Sequence, residues 1–284
     1  MLNLFITFKI IVEAIDLSSW FDNSNELKYL RFRFFDSGSL VIAFGYENSH
    51  LLSILIFNET DKSLKESKVI EHVVKMFQIC VSNNHIYMQY KDDNGKWFLK
   101  VLNENLVIIN QIITVKHWLT AANNSLVFCM SSDESLIIYN CSLQVIKKVG
   151  QNEDPLSPFF FPATIYELIC ENGRYYIHSQ ENEIEYFRIM DEEDGSLLKI
   201  FELKQAKLLK INNSKNNIIM IECSDQVGKE NLRLKYLDLN GEVIKEIKLK
   251  NFPVSSWMRY FCLSKADQIH FFNYKLYSLH FENK

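Results

Sequence analysis

Glycine and proline are scarce in this chain of 284 residues, which contains 8 glycines and 4 prolines. Long disordered linkers depend on such residues, so the composition argues against them. A glycine-rich phosphate loop is also excluded, because no Walker sequence occurs. No apolar run reaches about eighteen residues, and we therefore expect no transmembrane helix and no membrane partner.

Paired cysteines are missing as well, since the six cysteines are scattered and form no CxxC motif. Most of them lie within apolar segments, which is typical of buried small side chains and not of a zinc site or a disulfide framework. We therefore expect a reducing compartment and predict a cytoplasmic location, with secretion as the alternative. The net charge of −4 provides no broad basic surface for nucleic acid, although a local basic patch remains open.

Apolar and aromatic residues are abundant, at 48% and 13% of the chain, with 21 Phe and 13 Tyr. These residues suit half-buried pleated surfaces. Turn residues recur every eight to twelve positions or so, while no long window holds a helical period. The sequence therefore predicts an all-β protein.

A repeated four-strand unit is most visible in the segment 165–203. Its second strand, RYYIHS, has counterparts that begin at residues 39, 85, 125, 217 and 268. The spacing between successive copies, including the one at residue 174, runs from 40 to 51 residues. Repeats of this length are typical of β-propeller blades.

The repeats define a single domain of six blades. The blades cover residues 27–71, 74–114, 116–149, 164–203, 205–249 and 256–284. The last blade contains three strands and lacks a fourth. Segment 3–12 precedes the first blade and belongs to none of the repeats. Closure of the ring removes exposed sheet edges. We therefore predict a six-bladed β-propeller in which the N-terminal strand 3–12 completes the last blade.

The fourth unit resembles an NHL repeat, the blade of six-bladed NHL propellers. The matching elements are Gly150-Gln151, Phe159 to Pro162, Asn172-Gly173, Tyr175-Tyr176-Ile177, Asn182 and Asp194-Gly195. The other units keep the strand rhythm but lack glycine at most turns, which predicts longer or differently shaped turns there. The resemblance implies a propeller that binds proteins or, in some members, single-stranded RNA. Related lactonases and lyases hold a metal in the channel.

Two segments are candidate binding sites. The first is the aromatic run Phe159, Phe160 and Phe161, which lies between two prolines and either wedges between blades or anchors a partner. In the second, Tyr29, Arg31 and Arg33 share one face of a strand. A mixture of basic and aromatic side chains suits single-stranded nucleic acid, although a structural ion pair is the commoner outcome.

Evidence for catalysis is weak. Polar residues near the ends of first strands are candidates for a channel metal or, more simply, for turn hydrogen bonds. They are Asp36, Asn83, Asn123, Glu171, Asn212 and Asp267. No histidine pair has metal-binding spacing and no nucleophile motif occurs, so we predict no catalytic residues, no metal and no cofactor.

The leading prediction is a non-catalytic protein–protein interaction platform of NHL-like propeller type, with a protein partner. Binding of single-stranded RNA through the local basic and aromatic residues is the first alternative. A metal-dependent enzyme similar to the propeller lactonases or lyases is the second.

Overall fold

The computed structural model of the chain describes most of the sequence. The described residues are 8–16, 27–35, 37–58, 60, 63–114, 117–123, 126–132, 135–149, 164–181, 184–203, 206–212, 217–224, 231–249, 261–263, 269–273 and 275–283. The regular structure within these ranges consists of strands. They are β1 (Phe8–Asp16), β2 (Leu27–Phe34), β3 (Leu40–Tyr46), β4 (Leu52–Phe57), β5 (Leu64–Ile70), β6 (Val73–Ser82), β7 (His85–Asp92), β8 (Trp97–Asn103), β9 (Ile108–Thr114), β10 (His117–Asn123), β11 (Leu126–Ser131), β12 (Leu136–Asn140), β13 (Val145–Val149), β14 (Thr164–Glu171), β15 (Arg174–Glu181), β16 (Ile184–Asp191), β17 (Leu197–Leu203), β18 (Ala206–Asn212), β19 (Asn217–Ser224), β20 (Asn231–Asp238), β21 (Val243–Leu249), β22 (Phe261–Leu263), β23 (Ile269–Asn273) and β24 (Lys275–Asn283).

The described strands form six four-stranded antiparallel sheets, which we number as blades 1 to 6. Blades 1 to 5 are consecutive meanders: β2–β5, β6–β9, β10–β13, β14–β17 and β18–β21. Blade 6 has the order β22, β23, β24, β1. The inner strands contact one another in a closed cycle, in the order β2, β6, β10, β14, β18, β22 and back to β2. The prediction of an all-β propeller is confirmed.

The chain ends meet in blade 6. β1 pairs antiparallel with β24 from Phe8 opposite Asn283 to Asp16 opposite Lys275. The prediction that an N-terminal strand completes the last blade is therefore confirmed, but its end is corrected from residue 12 to Asp16. The strand continues past Val12 because a charged residue such as Glu13 does not end an outer strand. Residues 3–7 lie outside the described residues.

Neighbouring blades pack face to face, and their facing residues form the core. Successive side chains of a strand point to opposite faces, so Tyr175 joins the core with blade 3 while Tyr176 joins the core with blade 5. The ring of Tyr175 lies edge-on to Phe128 of blade 3, with 6.2 Å between the ring centroids. Each blade therefore needs a neighbour on both sides, and only a ring supplies one to every blade.

Deletion of residues 1–16 removes β1 and exposes the edge of β24. We expect the free energy of unfolding to fall by roughly 4 kcal/mol, because a nine-residue strand pairing is lost. Urea titration followed by circular dichroism measures this loss. Deletion of residues 1–7, which leaves β1 in place, is the control and should lower the midpoint less. Equal stability of both truncated chains would contradict the closure.

Candidate functional site

The third strand of four consecutive blades ends on Asn or Asp, and this residue shapes the turn that follows. Asn103 Oδ1 accepts hydrogen bonds from the N–H groups of Asn105 (3.0 Å) and Val107 (2.9 Å). Asn140 and Asp238 accept equivalent bonds in blades 3 and 5. In blade 4, Asp191 accepts from the N–H groups of Glu193 and Asp194. Because antiparallel strands alternate in direction, these turns all lie at one end of the propeller, which we call the Asx end.

Each of these turns contains a residue with positive φ: Leu106 (55°), Leu143 (58°), Gly195 (77°) and Gly241 (84°). Leucine normally avoids this conformation. Leu106 and Leu143 are nevertheless buried in the cores shared with the preceding blade, and this burial offsets the strain. The expectation of differently shaped turns where glycine is missing is wrong for blades 2 and 3. Their turns close with the same i+3 to i backbone bond as the turn at Gly241.

A β-bulge follows the turn at the start of each outer strand of blades 1 to 5. The pairing register skips the second residue of the outer strand in every case. The skipped residues are Lys65, Ile109, Ile146, Leu198 and Ile244. The last four are exposed, at 52%, 54%, 50% and 60%. A bulge re-aims side chains locally, and here it leaves an aliphatic residue facing solvent.

The residue before each of these four is also an exposed aliphatic. Together they form what we call the aliphatic rim. Its members are Ile108, Ile109, Val145, Ile146, Leu197, Leu198, Val243 and Ile244. The rim runs along the outer edge of blades 2 to 5 near the Asx end. It contains eight of the fourteen exposed large hydrophobic side chains among the described residues.

The polar residue after the bulge reaches the next blade. Asn110 Nδ2 donates to Ser142 O at 2.6 Å, joining blade 2 to blade 3. Lys147 Nζ donates to the carbonyl oxygens of Glu192 (2.8 Å) and Glu193 (2.9 Å) in blade 4. Lys199 lies 3.5 Å from a carboxylate oxygen of Glu242 in blade 5. Such surface contacts add little stability individually, but they fix the spacing of the rim from blade to blade.

Sequence reasoning missed the aliphatic rim, although the chain carries a signal for it. Strand side chains alternate between two faces, so two adjacent aliphatic residues cannot both point into one core. Such a pair follows the Asx turns of blades 3, 4 and 5. The pairs are Val145-Ile146, Leu197-Leu198 and Val243-Ile244. Recognition of the bulge would have required the pairing register, which only the folded sheet defines.

The basic and aromatic candidates on β2 lie elsewhere, at the inner strand of blade 1. Tyr29 is buried in the core between blades 1 and 2, and its hydroxyl donates to Val73 O at 3.4 Å. Arg31 Nη1 donates to Leu30 O at 2.8 Å, and Arg33 Nη1 donates to Phe32 O at 2.9 Å. Both guanidinium groups thus bond to carbonyls of their own strand. Their role in binding RNA stays a prediction.

The aromatic candidates Phe159, Phe160 and Phe161 lie outside the described residues. The same holds for Asp36 and Asp267 among the metal candidates, and for the side chains of Asn123 and Asn212. Asn83 has a φ of 48° in a tight turn, which fits its turn role. Within the described part of the chain, no group of three or more His, Cys, Asp or Glu residues is placed to hold a metal ion.

Buried polar residues occupy the same position in the second strands of blades 2 and 4. Gln89 Nε2 donates to His117 O (2.6 Å) and Thr114 Oγ1 (2.9 Å), and its Oε1 accepts from the Leu119 N–H (2.8 Å). These bonds tie blade 2 to the inner strand of blade 3. His178 occupies the same position in β15 and is buried, with Nε2 3.2 Å from a carboxylate oxygen of Glu185.

The described buried thiols are poor nucleophiles. Burial raises the pKa of Cys80 to about 11 and that of Cys170 to about 12, and it also raises the pKa of Cys129. A thiol in this state stays protonated near neutral pH, and only the thiolate is reactive. These three cysteines act as small core residues.

Comparison with known proteins identifies the fold alone. No family model matches the chain, and no curated protein matches it. A chain of the mitotic checkpoint complex is similar in structure, with 7% identity, 96% of this chain and 94% of that chain covered, and a TM-score of 0.55. The Kuenenia stuttgartiensis hydrazine synthase has 8% identity, coverage of 84% and 72%, and a TM-score of 0.54. Hsv2 of Kluyveromyces lactis, a propeller protein, has 11% identity, coverage of 91% and 73%, and a TM-score of 0.51.

The described residues contain no helix that is long and apolar enough to span a membrane.

Substitution of Gly241 by Ala tests the packing of the Asx turn. A Cβ atom at Gly241 would lie 2.5 Å from the Phe201 ring of blade 4, whereas one at Gly95 would meet only Lys91 Cε, at 3.8 Å. Both glycines have a φ above 80° and share the conformational cost of about 1 kcal/mol. We expect Gly241→Ala to lose about 1–3 kcal/mol more than Gly95→Ala in urea unfolding. Equal losses would show that the turn does not pack as described.

Proposed function

We propose that this protein is a non-catalytic protein–protein interaction platform, of NHL-like six-bladed propeller type, that binds its partner along the aliphatic rim. The observation that supports this proposal is the repetition of exposed aliphatic pairs at the same structural position in four consecutive blades. Single exposed aliphatic residues are ordinary on protein surfaces. A repeated series of them is characteristic of an interaction surface.

The rigidity of the rim favours tight binding. Its residues lie on paired strands, directly after turns that are capped by Asn or Asp side chains. Cross-blade contacts at Asn110, Lys147 and Lys199 hold neighbouring segments in place. A preorganised surface loses little conformational entropy when a partner binds, so more of the apolar burial contributes to affinity.

The two alternatives find less support. In the described residues, Arg31 and Arg33 bond to their own strand and Tyr29 is buried, which does not favour a stacking groove for RNA. The described residues also provide no cluster that favours a metal-dependent enzyme. A cytoplasmic location remains part of the proposal, and it is supported by the reduced state of Cys80, Cys129 and Cys141.

A double substitution in the rim tests the proposal. Ile146→Lys combined with Leu198→Lys places two cations in the centre of the rim, where docking of an apolar partner surface would desolvate them. We expect proteins captured from cells of the source organism by the wild-type chain to be depleted at least tenfold with this variant. Quantitative mass spectrometry of the captured proteins, with recapture of each purified candidate, measures the loss.

The matched control is Leu51→Lys combined with Ile184→Lys. These aliphatic residues are similarly exposed, at 44% and 40%, but precede or begin third strands at the opposite end of the propeller. The control variant should capture partners as the wild type does. Loss of capture with the control variant but not with the rim variant would contradict the assignment of the site.

A further inference from the structure

Among the described strands, the outer strand of each blade has one edge that pairs with no other strand, and most of these strands carry charged residues. Exposed sheet edges invite pairing with other chains, and lysine or glutamate on the edge prevents it. Of the six outer strands in the described structure, five carry charged residues: β1 (FKIIVEAID), β5 (LKESKVI), β13 (VIKKV), β17 (LLKIFEL) and β21 (VIKEIKL). β9, with the sequence IINQIIT, carries none.

Beyond its bulge, β9 directs alternate backbone groups away from β8, and the Gln111 N–H among them bonds only to the side chain of the preceding residue. The N–H of Gln111 donates to Asn110 Oδ1 at 2.9 Å, so this group lies on the open edge and does not face β8. Backbone groups of alternate residues in an antiparallel strand point the same way, which places those of Ile113 on the open edge too. The bulge at Ile109 limits the regular edge to residues 110–114.

The side chains along this edge are also suited to pairing. Ile113 is 55% exposed, and Gln111 is exposed beside it on the same face. Ile112 faces the other way and packs against the core between blades 2 and 3, which holds the strand in place. The edge is therefore rigid, uncharged and partly aliphatic.

We propose that β9 pairs antiparallel with β9 of a second copy of this chain and so forms a two-fold symmetric dimer. A symmetric interface must be self-complementary, and an uncharged strand meets this requirement because it brings no like charges together. Pairing of β9 with any other outer strand would place Lys or Glu against the aliphatic residues. Since each copy offers one such edge among the described outer strands, the assembly closes at two copies.

This inference goes beyond the proposed function. The dimer uses the backbone of blade 2, whereas the rim residues of blades 3, 4 and 5 stay open for another partner. Asn110 keeps its bond to Ser142 of blade 3 and releases only the Gln111 N–H, which then donates to the second copy. Dimerisation and partner capture are therefore affected by different substitutions.

Sedimentation velocity of the full chain over a concentration series tests the dimer. We expect the wild type to shift from monomer to dimer as the concentration rises, and Ile113→Lys to remain monomeric, because a lysine on the edge opposes pairing. The matched control is Val69→Lys, at the equivalent position of β5, where Val69 is 56% exposed. The control should dimerise as the wild type does.

Amide hydrogen exchange of the wild-type chain provides a second test of the dimer that needs no substitution. Exchange in a peptide covering residues 108–114 should slow at high protein concentration, while exchange in the peptide covering residues 64–70 should not change. A wild type that is monomeric at every soluble concentration would overturn the proposal. A dimer that is unaffected by Ile113→Lys, or that leaves exchange in β9 unchanged, would overturn it as well.

Discussion

Every blade of this protein has two apolar faces, and the whole structure follows from the need to bury both. In blade 4 the adjacent residues Tyr175 and Tyr176 join opposite cores, so neither neighbouring blade can be removed without exposing a large aromatic ring. A linear stack of blades would leave two faces in water, and a ring leaves none. The pairing of β1 with β24 completes the sixth sheet and so completes the blade that lies between blades 5 and 1.

The Asx turns connect this packing to the surface. The Asn or Asp at the end of the third strand caps the turn, and a β-bulge follows at the start of the outer strand. The bulge leaves an aliphatic residue facing solvent, and the polar residue after it contacts the neighbouring blade. The same local geometry therefore produces both the contacts between blades and the aliphatic rim. Leu106 and Leu143 adopt the left-handed backbone conformation in their turns because burial of their side chains in the cores between blades offsets the strain.

The outer strands are also where the blades differ from one another. Lysine and glutamate protect the edges of β5, β13, β17 and β21, whereas β9 carries only uncharged residues. The repeated architecture thus presents nearly equivalent backbone edges with different side chains. The propeller fold is common to proteins with many unrelated activities, so the function of one propeller depends on the side chains that distinguish its blades.

Composition and repeat period alone determined that this chain is an all-β propeller whose N-terminal strand returns to the last blade. Both depend on local patterns, namely apolar alternation and turn residues such as Asn103 and Asp238. The exposure of Ile146 and Leu198, and the burial of Tyr29, were decided by the tertiary structure. Strand alternation assigns Tyr29 to a face, but only the packing of blade 2 against that face shows it to be core. The bulges likewise depend on the register between two strands, which the sequence of either strand does not contain.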